Sequence, residues 1–154
     1  MTLMIPDDYI RPAVRAVIRR GPLVLVQVKA WPSGHRYLTL PGGRQEISET
    51  MQECLLRECR EEIGVAPVIG DVLHVADVLR EGPGARRFLV ETLFACAVPE
   101  SYVPRMGSKP DKRQIATEWV DPTETGAAFF PRYDLALSRA DAPVYLGRLS
   151  CAPA

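Results

Sequence analysis

Between Gly43 and Val65 the chain reads GRQEISETMQECLLRECREEIGV, and no other stretch constrains the fold as tightly. From Glu49 to Ile63 there is no Pro or Gly, and Glu, Leu, Met, Gln and Arg predominate. A helix is expected there, with Ser48 as its cap and Gly64 as a left-handed terminator. At roughly 100° per residue, Glu58, Glu61 and Glu62 share one face, while Gln52, Leu55, Leu56, Cys59 and Ile63 fall on a neighbouring arc suited to a core. The three carboxylates are expected to face water or metal. Like charges one turn apart repel and weaken an isolated helix. A solvated acidic face tolerates that cost. A divalent cation removes it, and Mg²⁺ in particular takes its oxygens from one or two carboxylates, waters and substrate phosphates.

The flanks read as strands. Leu23, Val24, Leu25, Val26 and Val28 follow a Gly21-Pro22 turn, and Arg11 to Arg20 before it supplies a hairpin partner. Tyr37 to Leu40 is a short strand running into Pro41-Gly42-Gly43, a glycine turn that leads to the helix. Val65 to Leu79 and Arg87 to Val98 read as two strands around the turn Glu81-Gly82-Pro83-Gly84, and Thr117 to Val120 as another. Asp121-Pro122 opens a helical turn, and Tyr133 to Ala140 is expected as a C-terminal helix. Between Pro99 and Ala116 no periodicity is visible, and loops of this length in compact domains are often functional. Alternating strands and helices of this kind, in 154 residues of which 47% are hydrophobic, give an α/β sandwich in one domain over residues 1–154.

Gly43, Glu49, Arg57, Glu58, Glu61, Glu62, Gly64 and Val65 stand at the spacing of one long, mostly polar signature, with Cys59 where an aliphatic residue is usual. On those residues the chain resembles the Nudix hydrolases of the MutT-like kind. The resemblance implies the Nudix fold, an α/β/α sandwich with a central mixed sheet. It implies metal-dependent cleavage of a diphosphate linkage in a nucleoside diphosphate derivative by attack of water on phosphorus. Glu58, Glu61 and Glu62 would be the metal ligands, with the Gly43 carbonyl as a further one, and Mg²⁺ the cofactor, with Mn²⁺ as a substitute. Arg57 and Glu49 would form an ion pair that orients the helix, and the backbone at Gly42 and Gly43 would approach the diphosphate.

Relatives differ in their general base: some use a glutamate of the motif, others an acidic residue on a later loop. Gln114 stands in that region here, and Glu118 is the remaining downstream candidate, with a plain surface role as the other reading. Arg105, Lys109, Lys112 and Arg113 make the long loop basic, and Lys109, Lys112 and Arg113 are the expected contacts to substrate phosphates. The proline or tyrosine that marks substrate choice in some relatives is not matched, since Leu79 and Arg80 occupy the nearer positions and only Pro83 the far one. Nucleoside triphosphates and nucleotide sugars both stay open. The alternative is a non-catalytic Nudix-fold module that binds a nucleotide or a protein; its mark would be a broken glutamate triad, and this triad is intact.

Lys and Arg number 19, Asp and Glu 19, and the pI is near 6.7. Long-range attraction to nucleic acid or an anionic membrane is therefore not expected. The longest apolar runs are too short to span a bilayer, and Asp7, Asp8 and Arg11 interrupt any secretory signal. Cys54, Cys59, Cys96 and Cys151 contain no CxxC pair, and His35 and His74 are far apart, so a zinc site is not expected. Cys54 and Cys59 are expected to pack as small hydrophobes. A cytoplasmic protein acting on a small nucleotide, with a homodimer allowed, is the outcome of this reading.

Overall fold

The computed structural model describes residues 9–82, 85–125 and 128–151. Strand β1 (Ile10–Arg20) turns at Gly21 into β2 (Leu23–Ala30), and the two pair antiparallel at Arg19↔Val24 and Arg20↔Leu23. β3 (Arg36–Thr39) lies along β2, and β4 (Gly42–Arg44) turns back onto β1, with Val14 opposite Gly43. Helix α1 (Met51–Ile63) follows. Then β5 (Val68–Gly82) and β6 (Ala85–Ala97) form a long antiparallel pair, β6 running parallel to β1. β7 (Gln114–Val120) pairs with β2, the short α2 (Asp134–Leu137) follows, and β8 (Tyr145–Cys151) adds to β5 in parallel. The result is an eight-stranded mixed sheet ordered β3-β2-β1-β6-β5-β8, with β4 also on β1 and β7 also on β2.

Alternation along β1 feeds both faces of this sheet. Val14, Ala16 and Ile18 join Leu25, Phe94 and the α1 residues Cys54, Leu55, Cys59 and Ile63 in one buried layer. Ala13 and Val17 point the other way, into a layer with Val26, Val78, Leu93, Tyr133 and Leu137 of α2. The helix is thus fastened by one apolar stripe over the middle of β1.

Several boundaries differ from the sequence expectation. The α1 cap is Thr50, not Ser48: Thr50 Oγ1 accepts from the Glu53 amide at 3.1 Å, while Glu53 Oε1 accepts from the Thr50 amide at 3.1 Å, a reciprocal capping box. Ser48 sits in the preceding loop at φ 73°. Gln52 is exposed, because the buried stripe is narrower than the expected arc. Gly64 does terminate the helix in the left-handed region, at φ 73°. The C-terminal helix is only the Asp134–Leu137 turn, and β8, which sequence reading did not anticipate, occupies the sheet edge. β7 starts at Gln114, which shortens the long loop. Pro83 and Gly84 of the β5–β6 turn lie outside the described residues, as does the Cys151 side chain. Cys54 and Cys59 are buried free thiols. Among the described residues no helix is long and apolar enough to cross a membrane.

Candidate active site

Because the core stripe fixes how α1 is rotated, it also fixes its carboxylates. Arg57 holds Glu58 and ties it to Glu49 of the preceding loop: Nε and Nη2 donate to the two oxygens of Glu49 at 3.0 and 2.7 Å, and Nη1 donates to Glu58 Oε1 at 3.0 Å. The same guanidinium stands 3.6 Å from Glu61. This bidentate pairing holds the Glu49 carboxyl down at about 2. Glu49 also accepts from the Glu46 amide at 2.8 Å, so the loop before α1 is tied to the helix through Arg57.

Of the three helix carboxylates expected to face water or metal, Glu62 does not face water. Its residue is 3% exposed, and Oε1 accepts from the Gly42 amide at 3.0 Å. Burial pushes this carboxyl up to about 7. Glu58 is half-buried and also raised, by burial, against the opposing pull of Arg57. Glu62 thereby pins the β4 backbone, and Gly43 is pressed onto Glu58: a Cβ at Gly43 would stand 2.5 Å from the Glu58 Cδ.

Beneath β4 lies a buried ion pair. Arg15 of β1 donates through Nε and Nη2 to Glu91 of β6 at 3.2 and 3.0 Å, and through Nη1 to the carbonyls of Leu40 and Gly42. The Tyr133 hydroxyl donates to the same Glu91 at 2.7 Å. Burial alone would neutralise both partners; their mutual attraction wins, raising Arg15 and lowering Glu91.

Above this floor is a cleft of about 290 Å³, walled by Arg11, Arg15, Lys29, Arg44, Arg80 and Arg87 together with Gly42, Gly43, Leu89, Glu58 and Asp111. Six cationic side chains meet two carboxylates there, in a chain of zero net charge. Such a concentration of guanidinium groups suits a polyanion.

Sequence reading missed the cationic wall of this cleft, Arg11, Arg15, Lys29, Arg44, Arg80 and Arg87, and it missed Asp111. Asp111 comes from the long loop and pairs with buried Lys29 at 3.2 Å. Burial would raise the Asp111 carboxyl, but Lys29 overrides it and holds it low. Lys109, Lys112 and Arg113 from the same loop are not among the residues lining the cleft. Arg113 lies over the Trp31 ring instead, 5.0 Å from its centre. Gln114 is buried and donates to the Glu62 carbonyl at 2.9 Å and to Thr117. Glu118 is exposed on β7, opposite Val26, also outside the cleft lining.

The loop's main contacts are with the end of α1. The Gly107 and Lys109 amides donate to the Glu62 and Glu61 carbonyls at 3.1 and 2.9 Å, and the Tyr102 hydroxyl to the Ile63 carbonyl at 2.6 Å. Arg105 donates to the Gly64 carbonyl. The terminal carbonyls that a helix leaves unpaired are thus satisfied by the segment that carries Asp111.

Glu58 of the carboxylate-bearing helix faces a cation-lined cleft across a glycine strand, an arrangement in an α/β fold that suits a phosphate-handling protein. The NUDIX domain family matches residues 9–140, and the chain belongs to that family of hydrolases. A CTP pyrophosphohydrolase of Escherichia coli K12 is 30% identical over 112 residues, 72% of this chain and 76% of that protein. A Caenorhabditis elegans protein described as a nudix hydrolase is 27% identical over 118 residues; the match takes in 73% of this chain but 29% of that relative's length. The crystal structure of a MutT NUDIX hydrolase from Burkholderia pseudomallei superposes with a TM-score of 0.69 at 25% identity, covering 86% of this chain and 99% of that one. The expected Nudix fold and the class of Nudix-type pyrophosphohydrolase are both upheld.

Proposed function

We propose that this Nudix pyrophosphohydrolase cleaves a phosphoanhydride of a nucleotide, either a nucleoside triphosphate or a nucleoside diphosphate joined to another group such as a sugar. The observation that carries this reading is the cleft itself: six cationic side chains converge on the Gly42-Gly43 backbone and on Glu58. A diphosphate needs that charge and that backbone access.

The donor chemistry fits Mg²⁺, with Mn²⁺ able to replace it. Among the described residues no group of three or more His, Cys, Asp or Glu side chains is already placed to hold a metal ion. Gly43, whose missing side chain makes room for the Glu58 carboxylate, instead supports an open, all-oxygen set that waters and substrate phosphates complete. Glu58, Glu61 and Glu62 with the Gly43 carbonyl would hold the ion. Once bound, it would polarise the phosphoryl oxygens and offset the charge of the leaving phosphate.

The protein's own groups do the rest. Arg11, Arg44 and Arg87 draw the phosphate chain into the cleft and screen charge as it moves to the leaving oxygen. Asp111, ionised at neutral pH beside Lys29, takes the proton of the attacking water as the new P–O bond forms and the bridging P–O bond breaks. Arg57 and Glu49 keep Glu58 in place.

The test is a phosphate-release screen of nucleoside triphosphates and nucleotide sugars with Mg²⁺ or Mn²⁺. Turnover of at least one compound, lost with EDTA and in Glu58→Gln, is the expected result. Turnover that persists without divalent cation would refute the metal-dependent reading.

A further inference from the structure

The cleft floor sets two guanidinium groups against one carboxylate. Glu91 is fully buried, and Arg15 claims both of its oxygens while placing Nη1 on two backbone carbonyls. Arg80 is left over. Its Nη2 stops 3.9 Å from Glu91 Oε2, beyond hydrogen-bond reach, and its Nε is buried with no acceptor. A buried guanidinium N–H without an acceptor is costly, and native structures rarely leave one so.

Arg80 lines the cleft, and its strand places it directly opposite Arg87 of β6, which lines the cleft as well. Side chains opposite each other on neighbouring strands share a face and can reach one ligand. With 34% of the Arg80 side chain exposed, a phosphate oxygen entering from the cleft would meet its outer guanidinium nitrogens in a charge-assisted bond, and a rotation of the group would bring the buried Nε to the same oxyanion. Arg15 cannot take that part, because Glu91 and the carbonyls of Leu40 and Gly42 already occupy its fork.

We propose that Arg80 is a phosphate-binding residue of the cleft, a reader whose open donors bind an oxyanion of the substrate, while Arg15 on the same carboxylate serves only as scaffold. This rests on the reading of the cleft as a phosphate site. Glu91 divides the labour: it consumes one arginine and steers the other without binding it.

Calorimetric titration with inorganic pyrophosphate in metal-free buffer tests the assignment apart from turnover. Arg80→Met should weaken pyrophosphate binding by about tenfold or more, Arg80→Lys by less, and Arg139→Met, which removes a surface arginine paired with Asp141, should change nothing. With a hydrolysed nucleotide, Arg80→Met should raise KM about tenfold and leave kcat within about threefold, a split that a purely structural arginine does not give. Pyrophosphate binding in Arg80→Met within about twofold of wild type, or none in wild type, overturns the proposal. Binding through Arg80 in a protein that hydrolyses no nucleotide would instead remove the proposed function and leave Arg80 as an anion reader.

Discussion

The main chain of Gly43 rests on the carboxylate of Glu58: a Cβ there would lie 2.5 Å from its Cδ and 2.6 and 2.8 Å from its oxygens. The crowded atoms are the end of a flexible side chain, so in Gly43→Ala Glu58 should swing aside at little cost to the fold. Activity should fall at least about tenfold while the melting temperature moves by no more than about 4 °C. Gly42→Ala should behave in the opposite way. Its φ is 141°, and a Cβ would meet the Val14 carbonyl at 2.0 Å, inside the β1–β4 pairing. Backbone cannot yield there, and several kcal/mol of stability should be lost, on the order of 3 or more. Thermal denaturation of both variants checks the ranking.

Amide replacements divide the helix glutamates by role. Glu58→Gln, Glu61→Gln and Glu62→Gln should each lower kcat by about a hundredfold or more, equivalent to about 2.7 kcal/mol of transition-state stabilisation. Glu53→Gln should stay within about threefold, since Gln serves the capping box as well as Glu. Near-normal turnover by a folded triple variant would place the chemistry elsewhere.

Glu62 makes stability depend on pH. Its folded-state value is raised from 4.5 to about 7, so the buried neutral form is favoured. The stability this gives is complete below about 4.5 and is lost as pH rises through about 7, by up to about 3 kcal/mol. Metal-free wild type should therefore lose melting temperature relative to Glu62→Gln between pH 5 and 8 (approximately the linkage window). Saturating Mg²⁺ should recover more of it at the alkaline end, by mass action on the native state. Parallel curves for the two proteins would show that Glu62 does not titrate as its burial requires.

Asp111→Asn should lower kcat by about tenfold or more, because it removes a cleft carboxylate and leaves buried Lys29 without its counter-charge. Glu118→Gln, altering an exposed strand residue, should remain within about threefold. Steady-state kinetics on the two variants decide which acidic residue serves the reaction; the reverse ranking would return the base to β7.

Helix α1 was legible because every local signal agreed: propensity, apolar spacing, a terminal glycine and the charged signature. Even so, Ser48 drew the cap away from Thr50, whose partner Glu53 three residues on was visible in the sequence. Glu62 was misplaced for a different reason. Its polarity argues for solvent, and only the Gly42 amide, brought in by β4, explains its burial. Arg15 and Glu91 are separated by 76 positions, so neither propensity nor periodicity could pair them. Asp111 was hidden by the lysines around it, which coloured the loop as basic. β8 escaped notice because Gly147 and Arg148 interrupt its apolar pattern on an edge strand, where no strict alternation is demanded.

The Pro99–Arg113 segment has few internal bonds, and its firmest attachments are to the last turn of α1. Hydrogen exchange would read this as one cooperative unit: the amides of Gly107 and Lys109 can open only when they release the Glu61 and Glu62 carbonyls. At Gly107 a Cβ would lie 2.4 Å from the Arg60 and Glu61 carbonyls, so no larger residue can keep the clasp closed. Asp111 thus reaches the cleft on a strap whose buckle is the end of α1. A fluctuation that loosens the strap frees Asp111 to leave the cleft, while the glutamates of α1 stay anchored by the core stripe beneath them.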